Sequence, residues 1–134
     1  MFSNDLLVDL DLTNYELVAA ISQIFSVSPA DILVVDDITE VEVSKHIRLV
    51  CERMLVQGDF SMRLCIYLHD SKLKQLDSKL TIKQFCGILH CQCLISDSSV
   101  NPYTRLLVRE SGKIQPVALD PERLNENEEY IIIE

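Results

Sequence analysis

The chain has 134 residues, the size of one ordinary domain, and its 48% hydrophobic and 25% charged residues exclude a disordered or fibrous protein. A formal net charge of −9 disfavours nucleic-acid binding, because an acidic surface repels phosphate backbones. No apolar run approaches the ~20 residues that span a bilayer, and residues 1–5 lack a signal-peptide pattern, so we expect a single cytoplasmic domain over 1–134.

The first third of the chain predicts a strand, a helix and a second strand. Apolar and polar residues alternate over 6–12, which is the period of a half-buried strand. Thr13 and Glu16 have the spacing of a capping box and precede apolar residues at helical spacing, so a helix is predicted over 13–25. The β-branched run 32–35 predicts a buried strand, and the strand–helix–strand order favours a parallel first pair.

The middle of the chain predicts a long hairpin. Apolar and polar residues alternate over 60–68, as in a strand with one buried face. Gly58 lies in a Gln-Gly-Asp turn just before this strand, where glycine supplies the positive φ that tight turns need. Residues 46–56 fit a helix or a strand, and the turn favours a strand that pairs with 60–68.

A second helix is predicted over 82–94. Thr81 and Gln84 have the spacing of a capping box, and Leu80 and Phe85 occupy the two positions of a hydrophobic staple. The apolar residues that follow share one helical stripe, which we expect to be buried. This stripe consists of Ile82, Phe85, Cys86, Leu89 and Cys93.

The last third predicts three further strands. Two of them, over 104–109 and 113–119, flank a Ser-Gly turn. A turn-rich segment over 120–128 then precedes a closing strand over 130–133. The full order is β-α-β-β-β-α-β-β-β, which predicts a single α+β domain with two main helices packed on a mixed, mostly antiparallel sheet.

Negative charge is concentrated at the start of the chain. Residues 1–44 contain nine acidic residues and no lysine or arginine. Such a surface would keep the protein soluble, and it would also steer a basic protein toward it. We expect six of these acids to form a partner-binding surface: Asp9, Asp11, Asp36, Asp37, Glu40 and Glu42.

One short segment resembles part of a known family. Residues 32–37, an apolar run followed by two aspartates, resemble the first strand and acidic pair of response-regulator receiver domains, where carboxylates help to hold Mg²⁺. In that family the strand opens the domain, whereas here a strand and a capped helix come first. We therefore interpret the segment as a strand that runs into an aspartate-rich turn.

The five cysteines are expected to be reduced core thiols, and four cysteine and histidine residues lie close together in the sequence. Thiolate and imidazole are zinc donors, so Cys86, His90, Cys91 and Cys93 are a candidate cluster for a zinc- or thiol-dependent enzyme. Cys86, His90 and Cys93 would share one side of the predicted helix. Their spacing matches no established zinc motif, so we predict no metal and no cofactor.

The absence of recognisable catalytic motifs favours a non-catalytic function. The chain has three glycines and no glycine-rich phosphate loop or nucleophile elbow. Our leading hypothesis is a cytoplasmic protein-binding module, an inhibitor or immunity-type protein that recognises a basic protein partner. The alternatives are the zinc- or thiol-dependent enzyme and a small-molecule sensor or structural subunit with a pocket between helix and sheet.

Overall fold

Two helices cover one face of a seven-stranded sheet in the computed structural model, which describes residues 5–133. The predicted absence of a signal peptide concerns residues 1–5, of which residues 1–4 lie outside the described part. The strands are β1 (Asp5–Val8), β2 (Ile32–Val35), β3 (Leu49–Leu55), β4 (Gln57–Gly58), β5 (Met62–Leu68), β6 (Cys93–Ser96), β7 (Thr104–Val108), β8 (Ile114–Ala118) and β9 (Glu129–Tyr130). The α-helices are α1 (Asn14–Phe25), α2 (Ser78–Leu89) and α3 (Pro121–Asn127).

The sheet is mixed and mostly antiparallel, which confirms the predicted α+β class. Its strand order is β2-β3-β5-β1-β6-β7-β8, and β4 and β9 form a separate two-stranded pair. The β3–β5 and β7–β8 hairpins are both antiparallel, as predicted. The predicted parallel pairing of the first two strands is wrong. β1 and β2 run in the same direction, but β3 and β5 lie between them.

Helix α1 begins where its sequence predicts. The Glu16 N–H donates to the Thr13 hydroxyl at 3.1 Å, and the Thr13 N–H donates to the Glu16 carboxylate at 3.0 Å, so both halves of the capping box form. The helix ends at Ser26, which adopts a left-handed conformation with φ 55°. Its buried stripe contacts β2 and α2, which anchors the helix over one half of the sheet.

Removing the cap should weaken the fold measurably. We expect Thr13→Ala to lower the free energy of unfolding by about 1 kcal/mol, because the Glu16 N–H loses its acceptor at the start of the helix. Ser28→Ala is the matched control, since Ser28 precedes the 3₁₀ turn at Pro29–Asp31 without a side-chain capping bond. Urea denaturation of both variants checks this, and equal midpoints for the two would contradict it.

Alternate residues of the central strands enter two separate cores. On β1, Leu6 and Val8 face the helices, whereas Leu7 faces the opposite side. The helix-face core joins the strands to α1 and α2 through Leu17, Ile21, Phe25, Ile82, Phe85 and Cys86. The opposite-face core is smaller and consists of Leu7, Phe60, Leu94, Leu107, Val117 and Leu119, packed by Val56, Leu124, Tyr130 and Ile132.

The second helix differs from its prediction at both ends. It begins earlier, because the Asp77 carboxylate caps it by accepting from the Leu80 N–H at 2.9 Å. It ends at Leu89, where His90 adopts a left-handed conformation with φ 53°. The predicted continuation to residue 94 is wrong, because Cys93–Ser96 forms a strand between β1 and β7.

Two other segments also differ from their predictions. The first strand ends at Val8, so the predicted extension to residue 12 is wrong. There the chain leaves the sheet, and the Leu12 N–H donates to the Met62 sulfur at 3.0 Å. The predicted turn at 120–128 contains α3, which has Asp120 as its cap and Pro121 in its first turn. Within residues 5–133, no helix combines the length and the apolar character needed to cross a membrane.

Candidate functional site

Five of the six predicted acids, Asp9 among them, are placed at one end of the sheet by its topology. Because β1, β2 and β3 run in the same direction, their carboxyl ends share an edge. Asp11 follows β1, and Asp36 and Asp37 follow β2 directly. Glu40 ends the 3₁₀ turn Ile38–Glu40 just beyond. We call Asp11, Asp36, Asp37 and Glu40 the acidic edge.

The 3₁₀ turn that carries this edge is held by two carboxylates. The Glu52 side chain on β3 accepts from the Ile38 N–H at 2.9 Å, which fixes the turn against the sheet. Asp37 caps the turn by accepting from the Thr39 hydroxyl at 2.7 Å and from the Thr39 N–H at 2.9 Å. These hydrogen bonds lower the pKa of Asp37, so its charge persists into acidic solution.

The predicted acids differ in their availability to a partner. Asp9 is partly buried and accepts from the Gln92 N–H at 2.9 Å, so it joins β1 to the start of β6. Asp11 forms an ion pair with Arg53 at 3.4 Å. The exposed carboxylates of Asp36, Glu40 and Glu42 make no hydrogen bond or ion pair with any described residue. These three anions are therefore available for external contacts.

Two shallow depressions meet at Asp36. One has a volume of about 310 Å³, and its lining includes Asp37, Glu40 and Val41. The other has a volume of about 480 Å³ and is lined by Asp36, Arg53, Met54 and Leu55. Leu55 is 71% exposed and Val41 is 40% exposed, so exposed apolar side chains lie beside the carboxylates. Sequence reasoning missed Leu55 as a neighbour of the acids, because only the pairing of β2 with β3 brings it to them.

The cysteine cluster has a different membership from the predicted one. The Sγ atoms of Cys86, Cys91 and Cys93 all lie within 4.8 Å of one another, and all three residues are buried. They come from the last turns of α2, the following turn and the first position of β6. His90 points away from them, is exposed, and its Nδ1 lies 2.7 Å from a Glu110 oxygen. The predicted shared helix side of Cys86, His90 and Cys93 is therefore wrong.

The three thiols influence one another strongly. The thiols of Cys91 and Cys93 donate hydrogen bonds toward Cys86, which lowers the pKa of Cys86. Bonding to Cys86 raises the pKa of Cys91, and burial raises that of Cys93. Cys51 lies apart from this cluster, and burial raises its pKa to about 12, as expected for a thiol that only packs. Within the cluster, therefore, only the Cys86 thiol is shifted toward its charged form, and the other two are shifted away from it.

Known proteins supply no further guide to the site. Neither a family model, nor a curated protein, nor a solved structure matches the chain.

Proposed function

We propose that the chain is a non-catalytic, cytoplasmic protein-binding module whose acidic edge binds a basic protein, as an inhibitor or immunity-type protein does. The observation that carries the proposal is the group of unpaired carboxylates beside exposed apolar side chains. Asp36 joins two depressions, one beside Val41 and one beside Leu55. Anions set around apolar contacts suit a partner that presents arginine or lysine next to aliphatic or aromatic side chains.

The division between paired and unpaired acids indicates how such a partner would bind. Arg53 lies within 3.4 Å of Asp11 and 3.1 Å of the Asn14 amide oxygen, so this cation is already held in place at the edge. Asp36 lines one depression with Arg53 and a second with Glu40, and both of these acids offer unpaired charge. A basic partner would be steered by Asp36 and Glu40 and would be repelled locally by Arg53, which favours one docking orientation.

The state of the cysteines and histidines supports a function without catalysis. Cys86, Cys91 and Cys93 are each at most 2% exposed, whereas a nucleophilic thiolate must be reached by its substrate. Ser44 and His46 approach to 2.7 Å, but both lie on an exposed loop, and no described carboxylate is bonded to the imidazole. Five free thiols are also in keeping with the reducing cytosol.

The proposal is tested by neutralising the unpaired acids. The double variant Asp36→Asn/Glu40→Gln should bind the partner about tenfold more weakly, a loss of ~1.4 kcal/mol, because two steering charges are removed. Capture on the immobilised wild-type chain, followed by mass spectrometry, identifies the partner. Titration calorimetry with that purified partner then gives Kd at low and high salt.

The matched control changes the same number of charges elsewhere. Glu122 and Glu126 are exposed on α3, and neither of them lines the two depressions that meet at Asp36. Glu122→Gln/Glu126→Gln should leave Kd and its salt dependence close to wild type. The proposal is wrong if both double variants bind equally well, or if the captured protein is acidic.

A further inference from the structure

Three soft donors from three structural elements converge in the core beside the end of α2. Cys86 lies in the last turn of the helix, and its thiol approaches the Val108 carbonyl on β7 at 3.7 Å. The N–H of Cys91 donates to the Cys86 carbonyl at 3.1 Å, which brings the chain back over the helix end. Cys93 pairs with Val8 and Val108 on the neighbouring strands, so the backbone holds all three sulfurs in place.

The spacing of the sulfurs suits a single metal ion. Thiolates that bind an ion at about 2.3 Å lie about 4 Å apart in a planar arrangement, and the three Sγ atoms here are within 4.8 Å of one another. Among the described residues, no histidine or carboxylate atom completes this group. The donor set in the described part of the chain therefore consists of three sulfurs, without a histidine nitrogen or a carboxylate oxygen.

We propose that Cys86, Cys91 and Cys93 form a three-coordinate site for a soft monovalent cation, Cu(I). Thiolate ligands select Cu(I) and zinc, but structural zinc sites take four protein ligands in a tetrahedral arrangement. The nearest imidazole in sequence, His90, is turned outward and engaged with Glu110. Each thiol that becomes a ligand releases its proton to solvent, and copper stays in the +1 state throughout.

The other two cysteines of the chain lie outside the cluster. Cys51 is fully buried on β3 and Cys65 is half-buried on β5, and neither belongs to the group of three. A chain that used cysteine only to fill its core would not need three of them in mutual contact at one helix end. Cys65 also provides an internal control, because its removal takes away one thiol and leaves the cluster intact.

The site is tested with Cu(I) as the probe. Reduced protein is titrated without oxygen against a coloured Cu(I)–bicinchoninate complex, and loss of colour reports transfer to the protein. The wild type and Cys65→Ser should each take up one equivalent of Cu(I). Cys91→Ser should bind more than about 100-fold more weakly, because loss of an outer-shell partner alone costs up to that much.

A second measurement needs no variant and so does not depend on folding of Cys91→Ser. Copper X-ray absorption on the loaded wild-type protein should show three sulfur neighbours at about 2.3 Å. Equal affinity of the wild type and a folded Cys91→Ser would overturn the proposal, as would two sulfur neighbours. Uptake of one equivalent of zinc in preference to Cu(I), measured with a coloured zinc indicator, would overturn it too.

Discussion

Gly58→Ala should detach the C-terminal strand from the rest of the fold. Gly58 has φ 105°, and a Cβ at this position would lie 2.6 Å from the Tyr130 carbonyl oxygen and 2.7 Å from the Tyr130 nitrogen. These atoms belong to the backbone of β9, so no side-chain rotation relieves the contact. We expect the free energy of unfolding to fall by about 2–3 kcal/mol, through the strained φ and the lost β4–β9 pairing.

The other two glycines separate the two contributions. Gly112 also has a positive φ, 91°, but a Cβ there would come no closer than 4.0 Å to the Lys83 side chain. Gly112→Ala should therefore cost only about 1 kcal/mol, from backbone strain. Gly87 lies inside α2 with nothing within 4 Å, so Gly87→Ala should stabilise by about 0.5–1 kcal/mol. Urea denaturation of the three variants should show this order.

Gly58→Ala should destabilise the segment after α3 before it destabilises the rest of the fold. The segment after α3 is tied down by the Asp59 N–H, which donates to the Tyr130 carbonyl at 2.8 Å, and by the Asp59 carboxylate, which accepts from the Ile132 N–H at 2.8 Å. Tyr130 and Ile132 cover the opposite-face core. Hydrogen exchange in the variant should therefore accelerate at β9 before it does in α1. Uniform acceleration, or a loss equal to that of Gly112→Ala, would contradict this account.

Local signals in the sequence predicted the elements that depend on neighbouring residues. The capping box of Thr13 and Glu16 and the stripe of α1 need only the adjacent turns of helix, and both are present. The two antiparallel hairpins likewise follow from alternation and a short turn. One local signal has two meanings: Asp120 followed by Pro121 fits a turn, as predicted over 120–128, but it also fits the helix start that the structure shows.

The wrong predictions depend on contacts between distant parts of the chain. Cys93 falls seven residues after Cys86, which fits a helical stripe, yet it begins a strand that pairs with β1 on one side and β7 on the other. β1 lies at the far end of the chain, so its pairing with β6 cannot be seen in the local sequence pattern. His90 gave no warning of the helix end either, because a left-handed conformation is unusual for any residue other than glycine or asparagine.

The candidate site was predicted in composition but not in arrangement. The excess of acids before residue 45 is visible in the sequence, but their meeting at one edge requires that β1 and β2 end on the same side of the sheet. The predicted strand over 6–12 would place Asp9 and Asp11 on the same face, because side chains two residues apart in a strand point the same way. Instead, both lie beyond β1, with Asp9 bonded to Gln92 and Asp11 paired with Arg53. The arrangement of the cysteine cluster also depends on β6, because Cys93 begins this strand and the sequence predicts a helix there.

Leu17→Ala should have the largest effect on stability of the substitutions considered. Leu17 is 0% exposed in the buried stripe of α1, and it belongs to the helix-face core with residues of α2 and the sheet. Because a close-packed interior relaxes only partly around a truncated side chain, we expect a loss of about 2–5 kcal/mol. Gln23→Ala, on the exposed face of the same helix, should stay within about 0.5 kcal/mol of wild type.

A third substitution compares the two cores directly. Leu124 on α3 is only partly buried against the smaller opposite-face core, so Leu124→Ala should cost about 1 kcal/mol, less than Leu17→Ala. Equilibrium urea curves for the three variants, fitted with a common slope, give the comparison. If Leu124→Ala were the more damaging, the stability of the fold would depend chiefly on the face that α3 and the C-terminal segment cover. The helices α1 and α2 would then be the less stable layer, and hydrogen exchange should be faster in α1 than in β9.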